Sequence, residues 1–226
     1  MAVRAIAFVL VSLLLGGCVS VGSGGTLEPS TEAAFTARDK KLLANPPYAK
    51  ASIPEPYQRH IVAWHRKESP GSIVIDSDNH YLFYVLPDGK AIRYGVTVGD
   101  EALAWYGVAK VGRKEEWPTW TPTKEIKARL GDIPDFVGPG PHNPMGARGI
   151  YLFQGSKDTL FRIHGTNQPE YIGQSISSGC IRMTNEDVID LFNRVKMGAI
   201  VVVLAPKQGD SPFNPKVALG GGSSNN

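Results

Sequence analysis

From Gly71 to Leu204 short apolar runs alternate with clusters of turn residues, and this rhythm limits the fold more than any other feature of the chain. Ser72 to Asp76 and His80 to Leu86 are β-branched and aromatic runs joined by Asp76-Ser77-Asp78-Asn79, side chains that bond their own backbone in turns. Pro87-Asp88-Gly89-Lys90 turns the chain into a third run at Ala91 to Gly95, and Gly107 to Glu116 supplies a fourth. Gly149 to Phe153 and Thr159 to His164 flank Gly155-Ser156-Lys157-Asp158 and predict a hairpin. Ile200 to Leu204 is apolar throughout, the pattern of a strand buried on both faces. One stretch of this region is strongly helical. Val188, Ile189, Leu191, Phe192 and Val195 share a face, Thr184 with Asp187 three residues on forms a capping-box-like start, and Gly198 is the expected stop. A shorter helix is expected after Thr123, with Glu125 near its positive end and Gly131 closing it. The expected fold is mainly β, a sandwich or barrel with one principal helix on a face.

The two ends read differently. Arg4 precedes an almost wholly apolar run, Ala5 to Leu15, too short to span a bilayer comfortably and suited to an export-signal core. The run ends Leu15-Gly16-Gly17-Cys18, which resembles the lipobox of bacterial lipoproteins. That resemblance implies a signal peptide over 1–17, acylation of Cys18 and a periplasm-facing lipid anchor. Val19, rather than an aspartate, then favours the outer membrane. The alternative is an ordinary secretory signal cut a few residues later. Residues 18–70 are small and polar, then rich in Ala and Pro, and read as a lipidated N-terminus and tether with a short helix at Arg38 to Ala44. Residues 71–205 form the expected domain, and 206–226, ending in three glycines, two serines and two asparagines, a disordered tail.

A net charge of +3, one unit of it from Arg4, is too small to argue for nucleic-acid or membrane-surface attraction. Hydrophobic residues at 42% and charged residues at 20% suit a globular domain with a real core.

The chemistry concentrates in His164-Gly165-Thr166 and, a short loop later, Ser177-Ser178-Gly179-Cys180-Ile181-Arg182. The chain has two cysteines; if Cys18 is acylated or discarded with the signal, Cys180 has no disulfide partner in the chain. A thiol with a histidine at the end of a neighbouring strand offers the nucleophile and base of acyl transfer. The following helix start brings amide dipoles that favour a thiolate, and the amides of Gly179 and Cys180 are candidates for an oxyanion hole.

This pair of elements resembles the signature of the L,D-transpeptidases (the YkuD-type catalytic domain), and Asn143-Pro144-Met145-Gly146-Ala147-Arg148 is similar to the segment before the histidine strand in that family. The resemblance runs from about Gly71 to Leu204. It implies a YkuD-like β fold and attack by Cys180 on a peptidoglycan stem peptide, releasing D-alanine. His164 would be the proton carrier, oriented by the Gly165 carbonyl, and Gly179 would shape the oxyanion site. The acyl group would pass to a diaminopimelate amine, forming 3→3 cross-links, or to an amine of an envelope protein; water as acceptor would give a carboxypeptidase. No cofactor or metal is implied, and acylation of Cys180 by a carbapenem is. Many members carry histidine where this chain has Ser178, which leaves His164 as sole base.

Other readings of these residues stay open. Arg182 either holds a substrate carboxylate or braces its loop. Ser177, Ser178 and Thr166 are candidate substrate contacts, although serines there also make turn bonds. Trp105, Tyr106, Trp117 and Trp120 line a peptide groove or sit in the core. His142 faces a cleft or holds a loop, and His60, His65 and His80 are given no role. A different class, a lipid-anchored wall-tethering module without catalysis, has no need of Cys180 and His164. A papain-like peptidase has a different glycine-cysteine context.

Overall fold

A computed structural model describes residues 26–27, 32–99 and 105–205. The expected signal segment, Cys18 and the expected tail from 206 onward lie outside the described residues. No helix among those described is long and apolar enough to cross a membrane.

The strands are β1 (Thr26–Leu27), β2 (His60–Ala63), β3 (Ile73–Asp76), β4 (Tyr81–Leu86), β5 (Lys90–Gly95), β6 (Val98–Gly99), β7 (Gly107–Glu116), β8 (Arg148–Gln154), β9 (Lys157–His164), β10 (Ser175–Ser177), β11 (Ile181–Arg182) and β12 (Ile200–Val203). The helices are α1 (Ala37–Leu43), α2 (Lys124–Leu130) and α3 (Asn185–Arg194). Ten strands join one mixed sheet in the order β1-β2-β5-β4-β3-β12-β7-β8-β9-β11, while β10 and β6 pair separately and in parallel. Thr97, just beyond β5, exchanges two backbone bonds of 2.9 Å with Arg182 of β11, so the β11 end of the sheet curls back toward β5, the third strand from the other end. This is the mainly β architecture expected, with α3 packed on it.

α3 forms because Thr184 Oγ1 accepts the Asp187 amide at 3.1 Å and Glu186 and Asp187 sit at the positive helix end. Its Val188, Ile189 and Leu191 are fully buried among Ile150, Leu152 and Ile163 of β8 and β9. Each such side chain contributes roughly 1.5–3 kcal/mol by leaving water. The helix stops at Arg194, with Val195 extended, so Gly198 belongs to the turn into β12 instead of closing the helix.

The reading of 18–70 as a tether fails from residue 36 onward. α1 docks through Asp39, which is fully buried: Arg148 donates to both carboxylate oxygens at 2.8 and 2.7 Å, and the Trp117 indole donates at 2.8 Å. Arg59 enters the core beneath α3 and donates to Asp190 at 2.8 Å, and β2 pairs with β5 along four residues. Ion pairs of this kind join residues more than a hundred positions apart, and nothing local in the sequence announces them.

β9 carries the second departure. Tyr151 faces Arg162, yet Phe153 faces Asp158, so β9 bulges between these pairs. Leu160 sits in the bulge at φ 63° and is mostly exposed, its amide bonded to Asp158 at 2.9 Å. Bulges of this kind re-aim the side chains that follow, here Arg162 and His164.

Candidate active site

β9 and β11 run parallel with Ile163 opposite Ile181 and His164 opposite Arg182. Side chains alternate along a strand. The two isoleucines therefore enter the core, and both are buried, while Arg162, His164 and Arg182 share the opposite face. Cys180, one residue before β11, extends this register to Arg162, whose backbone amide bonds to its sulfur. Strand spacing puts the Cα atoms of Cys180 and His164 about 8 Å apart on the diagonal, within reach of a thiol and an imidazole on one face.

His164 is 5% exposed, and its Nδ1–H donates to the Gly165 carbonyl at 2.6 Å. A carbonyl only accepts, so the proton sits on Nδ1 and Nε2 is left as the acceptor. Burial, joined by the charges of Arg182 and Arg162 and opposed by the Gly165 and Pro144 carbonyls, lowers its pKa to about 3. The imidazole is neutral at physiological pH.

Burial also raises the Cys180 thiol, against the Arg162 amide and the two arginine charges. The thiolate expected from helix dipoles is not favoured here. β11 separates Cys180 from the first turn of α3, and macrodipole effects fade within a turn. At rest the thiol and the imidazole are both neutral.

The loop around the cysteine is shaped by Gly179, at φ 110° and packed so closely that a Cβ on Gly99 would lie 2.7 Å from its Cα. Ser177 is buried, donates to the Cys180 carbonyl at 2.5 Å and accepts the Gly179 amide at 3.2 Å. Ser177 thus holds the turn, and the Gly179 amide is bonded to it. Thr166, also buried, accepts the Gln168 amide at 3.0 Å and is likewise structural. Ser178 is half-buried in the same loop.

Arg182 donates to Gln168 at 3.3 Å; burial lowers its pKa, with Arg129 of α2 adding a like charge. Arg162 is gripped by Asp158 at 2.7 and 2.8 Å and lies over the Tyr151 ring at 4.5 Å. Neither Arg162 nor Arg129 was identifiable from sequence, because the first depends on the β9 bulge and the second on where α2 folds back.

Trp117 is core; Trp105 stacks on Phe161 with ring centroids 5.4 Å apart, and Trp120 pairs its backbone with Val137. Tyr106 is exposed. His142 is exposed, and its carbonyl accepts from Asn167. Asn143 donates to the carbonyls of Pro118, Val137 and Gly138 and accepts the Met145 amide, which explains the asparagine of the segment before β8. Asn185, overlooked in the sequence, is 2% exposed and bonds Ala147, Thr166 and Tyr48. A cavity of about 390 Å3 lies between residues 43–59 and the first turn of α3 and reaches Thr166, but Cys180, His164 and Arg182 do not line it. Among the described residues no group of three His, Cys, Asp or Glu side chains is arranged to hold a metal.

The L,D-transpeptidase catalytic domain family, YkuD, matches residues 70–203, and the chain belongs to it. The Escherichia coli K12 proteins named Probable L,D-transpeptidase ErfK/SrfK and Probable L,D-transpeptidase YbiS are each 37% identical to it over 139 residues. Those matches cover 58% and 57% of this chain and 43% of each relative, so the chain matches less than half the length of these curated relatives. A Brucella melitensis crystal structure described as a probable carnitine operon oxidoreductase is 46% identical, covering 67% of this chain and 96% of that one, with a TM-score of 0.45.

Proposed function

We propose that the protein is a cysteine-dependent L,D-transpeptidase of the bacterial cell wall. The observation that carries the reading is the parallel pairing of β9 with β11, which supports Cys180, one residue before β11, as the partner of His164 at the end of β9, with the base nitrogen of His164 left unclaimed by Gly165. Neutral Nε2 takes the thiol proton as sulfur attacks the donor carbonyl, so no standing thiolate is needed. The tetrahedral oxyanion collapses, the carbon–nitrogen bond breaks, and imidazolium returns the proton to the departing D-alanine amine. An acceptor amine then attacks the thioester, with His164 taking its proton and the thiol reforming. The Cys180 amide is the oxyanion donor in this scheme, since the Gly179 amide is held by Ser177.

The charges of Arg182 and Arg162 act on the thiol, and Arg129 adds a like charge beside Arg182. That field suits a donor rich in carboxylates, as peptidoglycan stem tetrapeptides are. The acceptor is a diaminopimelate amine of a second stem, giving 3→3 cross-links, or an amine of an envelope protein. Cys18 carries the lipid anchor, and the enzyme works in the periplasm from the outer membrane. Intact-protein mass spectrometry with a tetrapeptide donor tests the chemistry: a tripeptidyl adduct on the wild type, absent from Cys180→Ala, supports it, and its absence from both overturns it.

A further inference from the structure

The YkuD match begins at residue 70, yet the segment before it is fastened to the residues that hold His164. The Gly165 carbonyl orients the imidazole, so the direction of the Gly165–Thr166 peptide decides where Nε2 points. Two hydrogen bonds hold the peptides on either side of it. The Gly165 amide donates to the Arg148 carbonyl at 3.1 Å, and the Thr166 carbonyl accepts from Asn185 at 2.9 Å. A Cβ on Gly146 or Gly165 would overlap Asn185 Oδ1, so the contact has no slack.

Both holders are gripped in turn by the upstream segment. The second hydrogen of Asn185 Nδ2 goes to the Tyr48 hydroxyl at 2.7 Å, while Oδ1 accepts the Ala147 amide at 2.8 Å. The Arg148 guanidinium is clasped by Asp39 and also donates to the Ala147 carbonyl at 2.8 Å. Thr36 completes the clasp, its amide and hydroxyl donating to Asp39 at 2.9 and 2.8 Å.

We infer that residues 36–59 are a working part of the catalytic unit, in which Tyr48 and Asp39 are positioning residues that set His164 through Asn185 and Arg148. The inference rests on His164 being the base of the proposed reaction. Tyr48 acts by keeping the Asn185 amide bonded on all sides, and Asp39 by holding Arg148, and with it the Arg148 and Ala147 carbonyls, in place. A buried asparagine or arginine deprived of its partner seeks another, and the peptide it holds turns with it.

The test uses the full chain with Tyr48→Phe, Asn185→Ala, the double variant and Asp39→Asn. Two rates are read: acyl-enzyme formation with a tetrapeptide donor, and alkylation of Cys180 by iodoacetamide, which needs no substrate and so judges the inference even where acyl transfer fails. Tyr48→Phe is expected to lower both about five-fold, the equivalent of one hydrogen bond, with KM unchanged and the protein still folded. In the Asn185→Ala background the same change adds nothing further, because the two act through one bond. A Tyr48→Phe protein with wild-type rates, an equal loss in both backgrounds, or a higher KM at unchanged kcat would overturn the inference. Asp39→Asn that folds yet alkylates at the wild-type rate would remove Asp39 from it.

Discussion

His164 donates from Nδ1 to the carbonyl of the next residue, Gly165, at 2.6 Å. Among the described residues no carboxylate acts on the ring to stabilise an imidazolium, and burial holds its pKa at about 3 while the Cys180 thiol is raised. The pair is therefore neutral across the physiological range, and its proton moves only as the sulfur bonds to carbon.

The pH dependence of Cys180 alkylation follows. Between about pH 5 and 8 the rate is expected to lack the inflection near 6.5 of an ordinary histidine, and to climb only as the raised thiol ionises. Iodoacetamide labelling followed by intact mass reads this directly. A sigmoid step at pH 6–7 would mean a thiolate–imidazolium pair and would contradict the neutral assignment.

Stability carries the same signature. A histidine held near 3 when folded and near 6.5 when unfolded leaves the unfolded chain binding the proton first. Its contribution is complete above pH 6.5 and fades as the pH falls toward 3, on the order of 5 kcal/mol in full. Urea midpoints measured from pH 7 to 4 should fall steeply for the wild type and less steeply for His164→Ala. Parallel slopes would show that His164 protonates freely in the folded protein.

Asp39 gives a separate acid window. Burial alone would raise this carboxyl, but bonds from Arg148, Thr36 and Trp117 hold it at about 2. Its stabilisation is present above pH 4 and lost between about pH 4 and 2. Asp39→Ala strands the Arg148 charge in the interior and is expected to cost about 3–5 kcal/mol at pH 7 by chemical denaturation. A cost below 1 kcal/mol would mean that α1 is loosely attached.

How far this fold was legible in the sequence depends on the range of the interaction. α3 was readable because Thr184 and its apolar face lie within a dozen residues, and the β8–β9 hairpin because its turn residues are adjacent. The site motif was readable for the same reason, two short elements in one segment. Asp39, Arg59 and Tyr48 were missed because their partners lie 109, 131 and 137 residues away, and an Ala/Pro-rich stretch looks like linker. For Ser177 the sequence left substrate contact and turn bonding both open, because burial is invisible without coordinates; the structure shows the turn bonds. The bulge at Leu160 had no local mark: a leucine at positive φ is held there by the Asp158 bond and the neighbouring strand.

Gly179 offers a compact test of the cysteine loop. At φ 110° any side chain is strained, and Gly99 already packs against its Cα. Gly179→Ala is expected to lower acylation at least ten-fold while the free energy of unfolding falls by no more than about 2 kcal/mol. Wild-type acylation in a folded Gly179→Ala protein would show that the loop geometry does not govern the thiol.

The most direct measurement is mass spectrometry of muropeptides after incubating the protein, and in parallel Cys180→Ala, with purified tetrapeptide-containing muropeptides. Dimers cross-linked with loss of D-alanine, present for the wild type and absent for Cys180→Ala, are the predicted result. Unaltered muropeptides in both reactions, with the wild type shown to be folded, would contradict the account and favour a wall-tethering module without catalysis.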